Sequence, residues 1–387
     1  MPLEQLLQPL TFAAFTIAGM ATAFLGFAVI NTRRAASLPL FADDPGCRIS
    51  VMIPARNEER CIEACVRSLC EQDIADLEVI VLNDQSEDST GSILEALTRE
   101  YTNLRVLQGT PLPQGWVGKS WACHNLSQHA TGEVLIFTDA DTVHHPHAIA
   151  RSVAFLRQNS LSMLSLVPRQ TLTSFAEHAV IPMVHLIFFA TWLNIRRVGT
   201  KTTPTAAIGQ FIAFTREGYD TIGGHQCVKY SLVEDVFLSK AAASHGLPLA
   251  LIDGTDAVDC HMYTSAAEVT RGFSKNLFPA MRYNLAQMLA FIVQQCALYI
   301  APLVLAVIAV LTSAHLSAAL LIYAVAAGML IRYVVSIRFS MPAWHAMVQP
   351  ITALWCVAIC LNSVRWAYSR PGSAWKGRSY SRKDDSA

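Results

Sequence analysis

Hydrophobic residues in this chain fall into two patterns, long unbroken runs towards both ends and short bursts between polar clusters in the middle. From Gln5 to Thr32 there is no charged residue, and Ala, Phe, Leu and Ile dominate. About 20 such residues cross a bilayer, so the stretch predicts a transmembrane helix. A cleaved signal peptide fits poorly, because Glu4 stands where a basic start is expected and the run exceeds the usual ~7–15 residues. Arg33 and Arg34 follow directly, and the positive-inside bias places the next segment in the cytoplasm. A second uncharged run extends from Asn284 to Ile331, long enough for two helices separated near Thr312–Ser317. A third apolar stretch covers Phe339 to Val364.

Between these runs, from about Asp43 to Arg282, the pattern switches between short apolar strands and helical spacing. Arg48 to Pro54 predicts a strand, and Asn57 to Gln72 a helix with Ile62, Val66 and Leu69 on one face. Glu78 to Leu82 reads as a strand, Asp88 to Tyr101 as a helix and Leu104 to Leu107 as a strand. Ser120 to Gln128 and then Glu133 to Asp139 continue the alternation. Such a rhythm predicts an α/β domain with a mostly parallel sheet covered on both faces. Ligands in such sheets gather beyond the carboxyl ends of the strands, where each polar cluster of this chain falls. Within this region Ala179 to Ile195 is apolar but short and contains Pro182. It suits either a buried core or a segment in the membrane interface, the second reading being favoured by its length and Trp192.

The expected organisation is an N-terminal transmembrane anchor over residues 1–34 and a catalytic domain over 43–282, with the interfacial segment at 179–195. Two to three transmembrane helices over 284–365 and a basic tail over 366–387 follow. The tail carries Arg365, Arg370, Lys376, Arg378, Arg382 and Lys383, which predicts a cytoplasmic location. Three crossings after a cytoplasmic domain would instead leave it outside. One segment is therefore re-entrant or interfacial, or the tail breaks the charge bias.

Composition agrees with a multi-pass protein of the cell membrane whose catalytic domain faces the cytoplasm. Only 15% of the 387 residues are charged, against about 25% in a typical soluble domain. The net charge of +0 provides no basic face for nucleic acid. The ten cysteines form no CxxC pair; Cys61 and Cys65, one helical turn apart, read as small buried hydrophobes in a reducing compartment.

The sharpest chemical signal is Thr138-Asp139-Ala140-Asp141-Thr142, directly after the apolar strand Val134 to Phe137. Two carboxylates two apart at a strand end can reach one hard divalent cation, Mg²⁺ or Mn²⁺. Such an ion neutralises the charge developing on a diphosphate leaving group. Pro54, Arg56, Asn57 and Glu58 end the first strand, where free backbone amides at a helix start suit a nucleotide. The plainer reading is a helix cap by Asn57. Asp84, after the second strand, could accept hydrogen bonds from a base or ribose, while Asp88 caps the next helix. Gly115-Trp116-Val117-Gly118-Lys119 precedes a helix; its glycines allow close backbone approach, and Lys119 meets a phosphate or simply solvent.

Glu234 and Asp235 open a later helix. Transfer to a hydroxyl needs a base, for which Asp235 is the candidate and Glu234 its neighbour, although acids at a helix start often serve only the dipole. His261 is a candidate third metal ligand, and Arg271 or Lys275 could hold a diphosphate. A packed histidine and cations reaching lipid headgroups are the alternatives. His144, His145 and His147, beside Pro146, read as a helix start rather than as ligands.

Together these pieces resemble family 2 glycosyltransferases of GT-A fold over roughly residues 48–264. The order carrying the resemblance is Pro54-Ala55-Arg56-Asn57-Glu58, Asn83-Asp84, Asp139-Ala140-Asp141 and Glu234-Asp235. Gly115 to Lys119 with Trp121, His261-Met262-Tyr263, Gly272 to Asn276 and Trp375 to Tyr380 are similar to the membrane-bound branch that includes hopene-associated and carotenoid-type glycosyltransferases. The resemblance implies a nucleotide-diphosphate sugar donor, often UDP-linked, and inversion at the anomeric carbon. It places Asp139 and Asp141 at donor and metal, Asp84 at the nucleoside, and Asp235 as general base. Two departures stand out: His261 replaces the Arg frequent in the branch, and no QxxRW motif follows the acidic pair. Single-sugar transfer to an amphiphilic membrane lipid, a hopanoid, carotenoid or other polyisoprenoid, is the expectation. A processive polysaccharide synthase and a catalytically inactive membrane scaffold are the rival readings.

Overall fold

A computed structural model describes residues 3–191, 206–369 and 373–380. Trp192 to Ile195, Arg370, Arg382 and Lys383, all named above, lie outside the described residues. In chain order, helix α1 (Leu3–Arg34) precedes β1 (Ile49–Ala55), α2 (Ile62–Cys70), β2 (Leu77–Asn83), α3 (Thr90–Glu100) and β3 (Leu104–Gln108). Next come α4 (Gly118–His129), β4 (Val134–Thr138), β5 (Thr142–His144), α5 (Ala148–Gln158), β6 (Met163–Val167) and β7 (Arg169–Gln170). Two short helices, α6 (Phe175–Val180) and α7 (Met183–Phe189), lead to β8 (Phe211–Thr215), α8 (Arg216–Thr221) and α9 (Glu234–Ser244). Strands β9 (Leu249–Asp253) and β10 (Val258–Cys260) precede α10 (Ala266–Ala280), α11 (Leu285–Gln295), α12 (Ala301–Leu311) and α13 (His315–Arg338). Helix α14 (Gln349–Tyr368) and the hairpin β11 (Ser373–Trp375) and β12 (Arg378–Tyr380) close the chain.

These elements form two units. The first joins residues 35–171, 195–262 and 367–387 around a seven-stranded sheet of order β3-β2-β1-β4-β8-β6-β9. Pairings are parallel except where β8 lies between β4 and β6. Both faces are covered, as the unbroken apolar strands require: Val51, Ile53, Val79 and Ile136 pack on one side, Met52, Ile80, Leu135 and Phe137 on the other. This is the mostly parallel sheet expected of a GT-A fold. The carboxyl ends of neighbouring β1, β2 and β4 converge, bringing Arg56, Asp84 and Asp139 to one edge. A small sheet, β5-β10-β7, stands beside it.

The second unit comprises residues 1–34, 172–194 and 263–366. Among the described residues, four helices are long and apolar enough to cross a membrane: Gln8–Arg34, Leu285–Leu311, His315–Arg338 and Ala343–Tyr368. The two-helix division of the 284–331 run is found, with the break at Thr312 to Ala314. The last apolar stretch departs from expectation. After Phe339 the chain turns, with Ser340 at a φ of 55° and a short 3₁₀ turn over Ala343–Val348, and α14 starts only at Gln349. The 179–189 part of the short apolar segment is mostly buried within this unit: Asn31 donates to the Phe189 carbonyl, and the Phe189 and Phe339 rings lie 4.4 Å apart.

Candidate active site

The centre of the site is Lys119, the second residue of α4. A tight turn aims it: Gly115 has a φ of +80°, and a Cβ there would come within 2.9 Å of the Tyr230 ring. The Val117 amide donates to the Lys229 carbonyl, tying the same loop down at 2.7 Å. Lys119 Nζ then lies 2.6 Å from Asp139 Oδ1 and 2.7 Å from Glu234 Oε1. Burial opposes the ammonium, but Asp139 and Glu234 outweigh it and hold its pKa well above the usual lysine range. Its side chain is nonetheless 36% exposed, so it is paired at the edge of the cleft rather than enclosed.

Glu234 and Asp235 open α9 as expected, yet their environments differ. Burial raises Glu234, but Lys119 overrides it and leaves this carboxyl below its ordinary range. Asp235 is pushed up to about 6, by burial first and then by the charge of Glu234. Its Oδ2 accepts the Gly209 amide and its Oδ1 the Val236 amide, both at 2.8 Å. Gly209 is a site residue that sequence reasoning missed. A Cβ on it would stand 3.2 Å from Lys119 Nζ and 3.3 Å from Asp235 Oδ2, so any side chain there would press on both. An isolated glycine before an apolar strand gave little signal. Pro54, Phe137, Asp139 and His225 share the cleft with these residues. Burial drives His225 down to about 3, so it faces the cleft as a neutral ring.

Asp141 lies just beyond Asp139. Burial, the Asp139 charge and the Glu58 charge push it up to about 7. Cys260 Sγ donates to its Oδ1 at 3.6 Å, and burial holds that thiol far above its usual range, so it remains a donor rather than a thiolate ligand. The His261 amide donates to the Asp141 carbonyl at 3.0 Å. Among the described residues no three His, Cys, Asp or Glu side chains converge as a ready ligand cluster. The residues nonetheless fit a hard cation: two carboxylates, neighbouring negative charge that adds to burial in raising Asp141, and no competing thiolate. Mg²⁺ and Mn²⁺ sites of this kind use one or two carboxylates and complete their shell with phosphate oxygens and water.

The loop after β1 differs from expectation. Residues 57–61 are not helical, and Asn57, at a φ of 54°, does not cap α2. Its Oδ1 accepts the Glu87 amide instead. Nor are the amides here free for a nucleotide. Those of Asn57, Glu58 and Glu59 donate to Ser86 Oγ, Thr90 Oγ1 and Asp88 Oδ2. Arg56 Nη1 donates to the Asp84 carbonyl at 2.6 Å. Asp88 does serve α3, accepting the Thr90 amide. Arg271 and Lys275 lie on α10 in the helical unit and are not among the residues this unit assembles. His145 pairs with Asp259, and His147 precedes α5 in a left-handed conformation.

A mostly parallel sheet with an Asp-Ala-Asp pair, a half-buried lysine and two further carboxylates at its strand ends is the frame of a GT-A fold. Residues 50–222 match the model of glycosyl transferase family 2. The chain is 27% identical over 232 residues to a 4,4′-diaponeurosporenoate glycosyltransferase of Staphylococcus haemolyticus, covering 59% of this chain and 60% of that one. It is 28% identical over 244 residues to the enzyme of the same name from Staphylococcus aureus, with the same coverage. The chain thus spans about 60% of the length of these relatives. Among solved structures, a mannosyltransferase of Pyrobaculum calidifontis in complex with GDP-Man and Mn²⁺ shares the fold. It superposes with a TM-score of 0.55 at 16% identity, over 93% of this chain and 100% of that one.

Proposed function

We propose that this protein transfers a single sugar, with inversion, from a nucleotide-diphosphate sugar, UDP-linked by preference, to a lipid acceptor of the carotenoid or polyisoprenoid class. It works as a multi-pass protein of the cell membrane with the catalytic unit facing the cytoplasm. The observation that carries this reading is Lys119 held between Asp139 and Glu234, with Asp235 adjacent across Gly209. The names of the Staphylococcus relatives and the four apolar helices support a lipid acceptor.

Asp235 takes the proton of the acceptor hydroxyl as that oxygen bonds the anomeric carbon. The bond from this carbon to the terminal phosphate oxygen breaks, and the nucleoside diphosphate leaves with the electron pair. Attack opposite the nucleotide inverts the centre. Lys119 places a fixed positive charge beside the diphosphate, and Glu234 keeps that lysine charged and aimed. Asp139 and Asp141 would hold a divalent cation, with His261 beside them in the fold through its backbone amide on the Asp141 carbonyl. Once bound, the ion neutralises charge on the leaving diphosphate.

A panel of nucleotide sugars with Mn²⁺, Mg²⁺ or EDTA, total membrane lipid as acceptor and mass spectrometry of the products tests this reading. One added hexose on a lipid, abolished by EDTA, is expected. Long polymer would establish a processive synthase, and equal use of water-soluble acceptors would remove the lipid assignment. Normal product from Asp141→Asn and Asp235→Asn variants would favour a role without catalysis.

A further inference from the structure

The basic run Trp375 to Tyr380 has no part in the chemistry above, yet the structure places it in the catalytic unit. β11 and β12 pair antiparallel, Trp375 opposite Arg378, across the two-residue turn Lys376-Gly377. Both turn residues have positive φ, 44° and 79°, as a type I′ hairpin requires. A lysine in this conformation is unfavourable by about 1 kcal/mol, so its side chain or position must offset the strain. Lys376 Nζ pairs with Glu58 Oε1, and its carbonyl accepts from Arg56 Nε at 2.9 Å. Arg378 meets Asp84 with both arms of its guanidinium, Nη1 to Oδ2 at 2.5 Å and Nη2 to Oδ1 at 3.0 Å.

This contact falls where the donor is read to bind. The Asp84 side chain is 7% exposed and that of Arg378 15%. Gly109 closes over Asp84 from the other side, where a Cβ would lie 2.9 Å from its Cα. Removing one member of such a buried pair leaves the other charge without compensation. Asp84, Glu58, Asp139 and Asp141 form a negative arc at the strand ends, and the hairpin supplies cations to its first two members as Lys119 does to Asp139. The two-armed contact also fixes the plane of the Asp84 carboxylate, which a point charge would not.

We propose that the C-terminal hairpin is a working wall of the donor site. Arg378 is a positioning residue that holds Asp84 for the nucleoside, and Lys376 on Glu58 is a second cation at the nucleotide end of the cleft. The inference rests on the donor reading given above. The test uses the full-length protein in detergent or nanodiscs, with titration of UDP and of GDP in the presence of Mn²⁺, and with KM for donor and acceptor measured separately. Arg378→Ala is expected to weaken nucleoside diphosphate binding and raise donor KM by about tenfold to a hundredfold, the scale of a lost hydrogen bond to a charged group. Acceptor KM stays near wild type, while the melting temperature falls because the Asp84 charge is left uncompensated. Arg378→Lys recovers part of the loss, and Lys376→Ala gives a smaller loss of the same kind. Donor KM and diphosphate affinity within about twofold of wild type in folded Arg378→Ala would overturn the proposal. If Arg378→Ala does not fold, the lysine variant and Lys376→Ala decide in the same terms. A wild-type protein that binds neither diphosphate would overturn the donor reading itself, and this one with it.

Discussion

Adjacent acids on one helical turn are pushed in opposite directions, and that separation supports the roles proposed for them. Lys119 spends its charge on Glu234 and Asp139, so Glu234 stays ionised and occupied. Asp235 has two backbone amides but, among the described residues, no cation at ion-pair distance, and is raised to about 6. A raised carboxyl is protonated below its pKa and ionised above it, so a base of this kind fails on the acid side. The kcat/KM profile should therefore fall as pH drops through about 6. Asp235→Asn should lower kcat by about 10²- to 10⁴-fold, the usual share of general base catalysis, and abolish that acid limb while UDP binding persists. An unchanged acid limb in the variant would reassign the titration to another group. Gly209→Ala tests the packing of the same centre, since its Cβ would crowd Lys119 Nζ at 3.2 Å. Lower kcat by about tenfold with an unchanged melting temperature is expected, because displacements below 1 Å at a reacting centre are costly to rate.

Whether an element was legible in the sequence follows from how local its causes are. Strands β1, β2 and β4 announce themselves as apolar runs because both sheet faces are buried, and the Asp-Ala-Asp pair is visible as their continuation. The order of chemistry along the chain, from Arg56 to Asp235, was readable for the same reason. The loop after β1 was not. Its helical-looking spacing from Asn57 is overridden by Ser86, Asp88 and Thr90, about 30 residues away, whose side chains capture its amides. The hairpin escaped a functional reading because Arg378 finds Asp84 across 294 positions of chain. Asp88 shows how far such long-range capture decides the loop. It accepts the Thr90 amide and hydroxyl and the Glu59 amide, and although burial works against it, these bonds hold its carboxyl below the ordinary range. A depressed carboxyl stabilises the fold above its unfolded pKa of about 3.9, and that contribution disappears as pH falls through its lower folded value. Asp88→Ala should cost about 1–2 kcal/mol at neutral pH, with donor KM rising because Glu58 and Asn57 share the loop. Thermal unfolding at pH 7 and pH 3 measures it, and an equal deficit at both would contradict the assignment.

At the scale of the whole molecule, the parity of membrane crossings turns on α14. Helices α1 and α13 run parallel: Thr11 meets Ser317, Thr22 meets Tyr323, and Arg338 Nε donates to the Thr32 carbonyl. Helix α12 turns into α13 over Thr312 to Ala314, so α11–α12 runs the opposite way and begins, after α10, at the Arg338 end. Both halves of α14 are held at that end of the bundle. Gln349 accepts from Arg332, Thr352 donates to the Ala179 carbonyl, and further on Ser363 Oγ accepts the Phe278 amide just ahead of α11. Arg332 has no exposed surface and also donates to the His178 and Ala179 carbonyls, making it the tie that keeps the start of α14 there. A crossing helix would have to end beside Thr312 instead. Three crossings, by α1, α11–α12 and α13, with α14 held at that end of the bundle, leave Arg33, Arg34 and Arg338 on one side, as the positive-inside bias favours. The hairpin agrees, since Arg378 could not reach Asp84 across a bilayer. An epitope inserted at Ser313 should therefore be accessible in intact spheroplasts, while one at the C-terminus should need permeabilisation, like an epitope in the α3 region of the catalytic unit. A C-terminal epitope exposed in intact cells, with the α3 epitope still protected, would mean that α14 crosses, and would separate the hairpin from Asp84 by the thickness of the membrane.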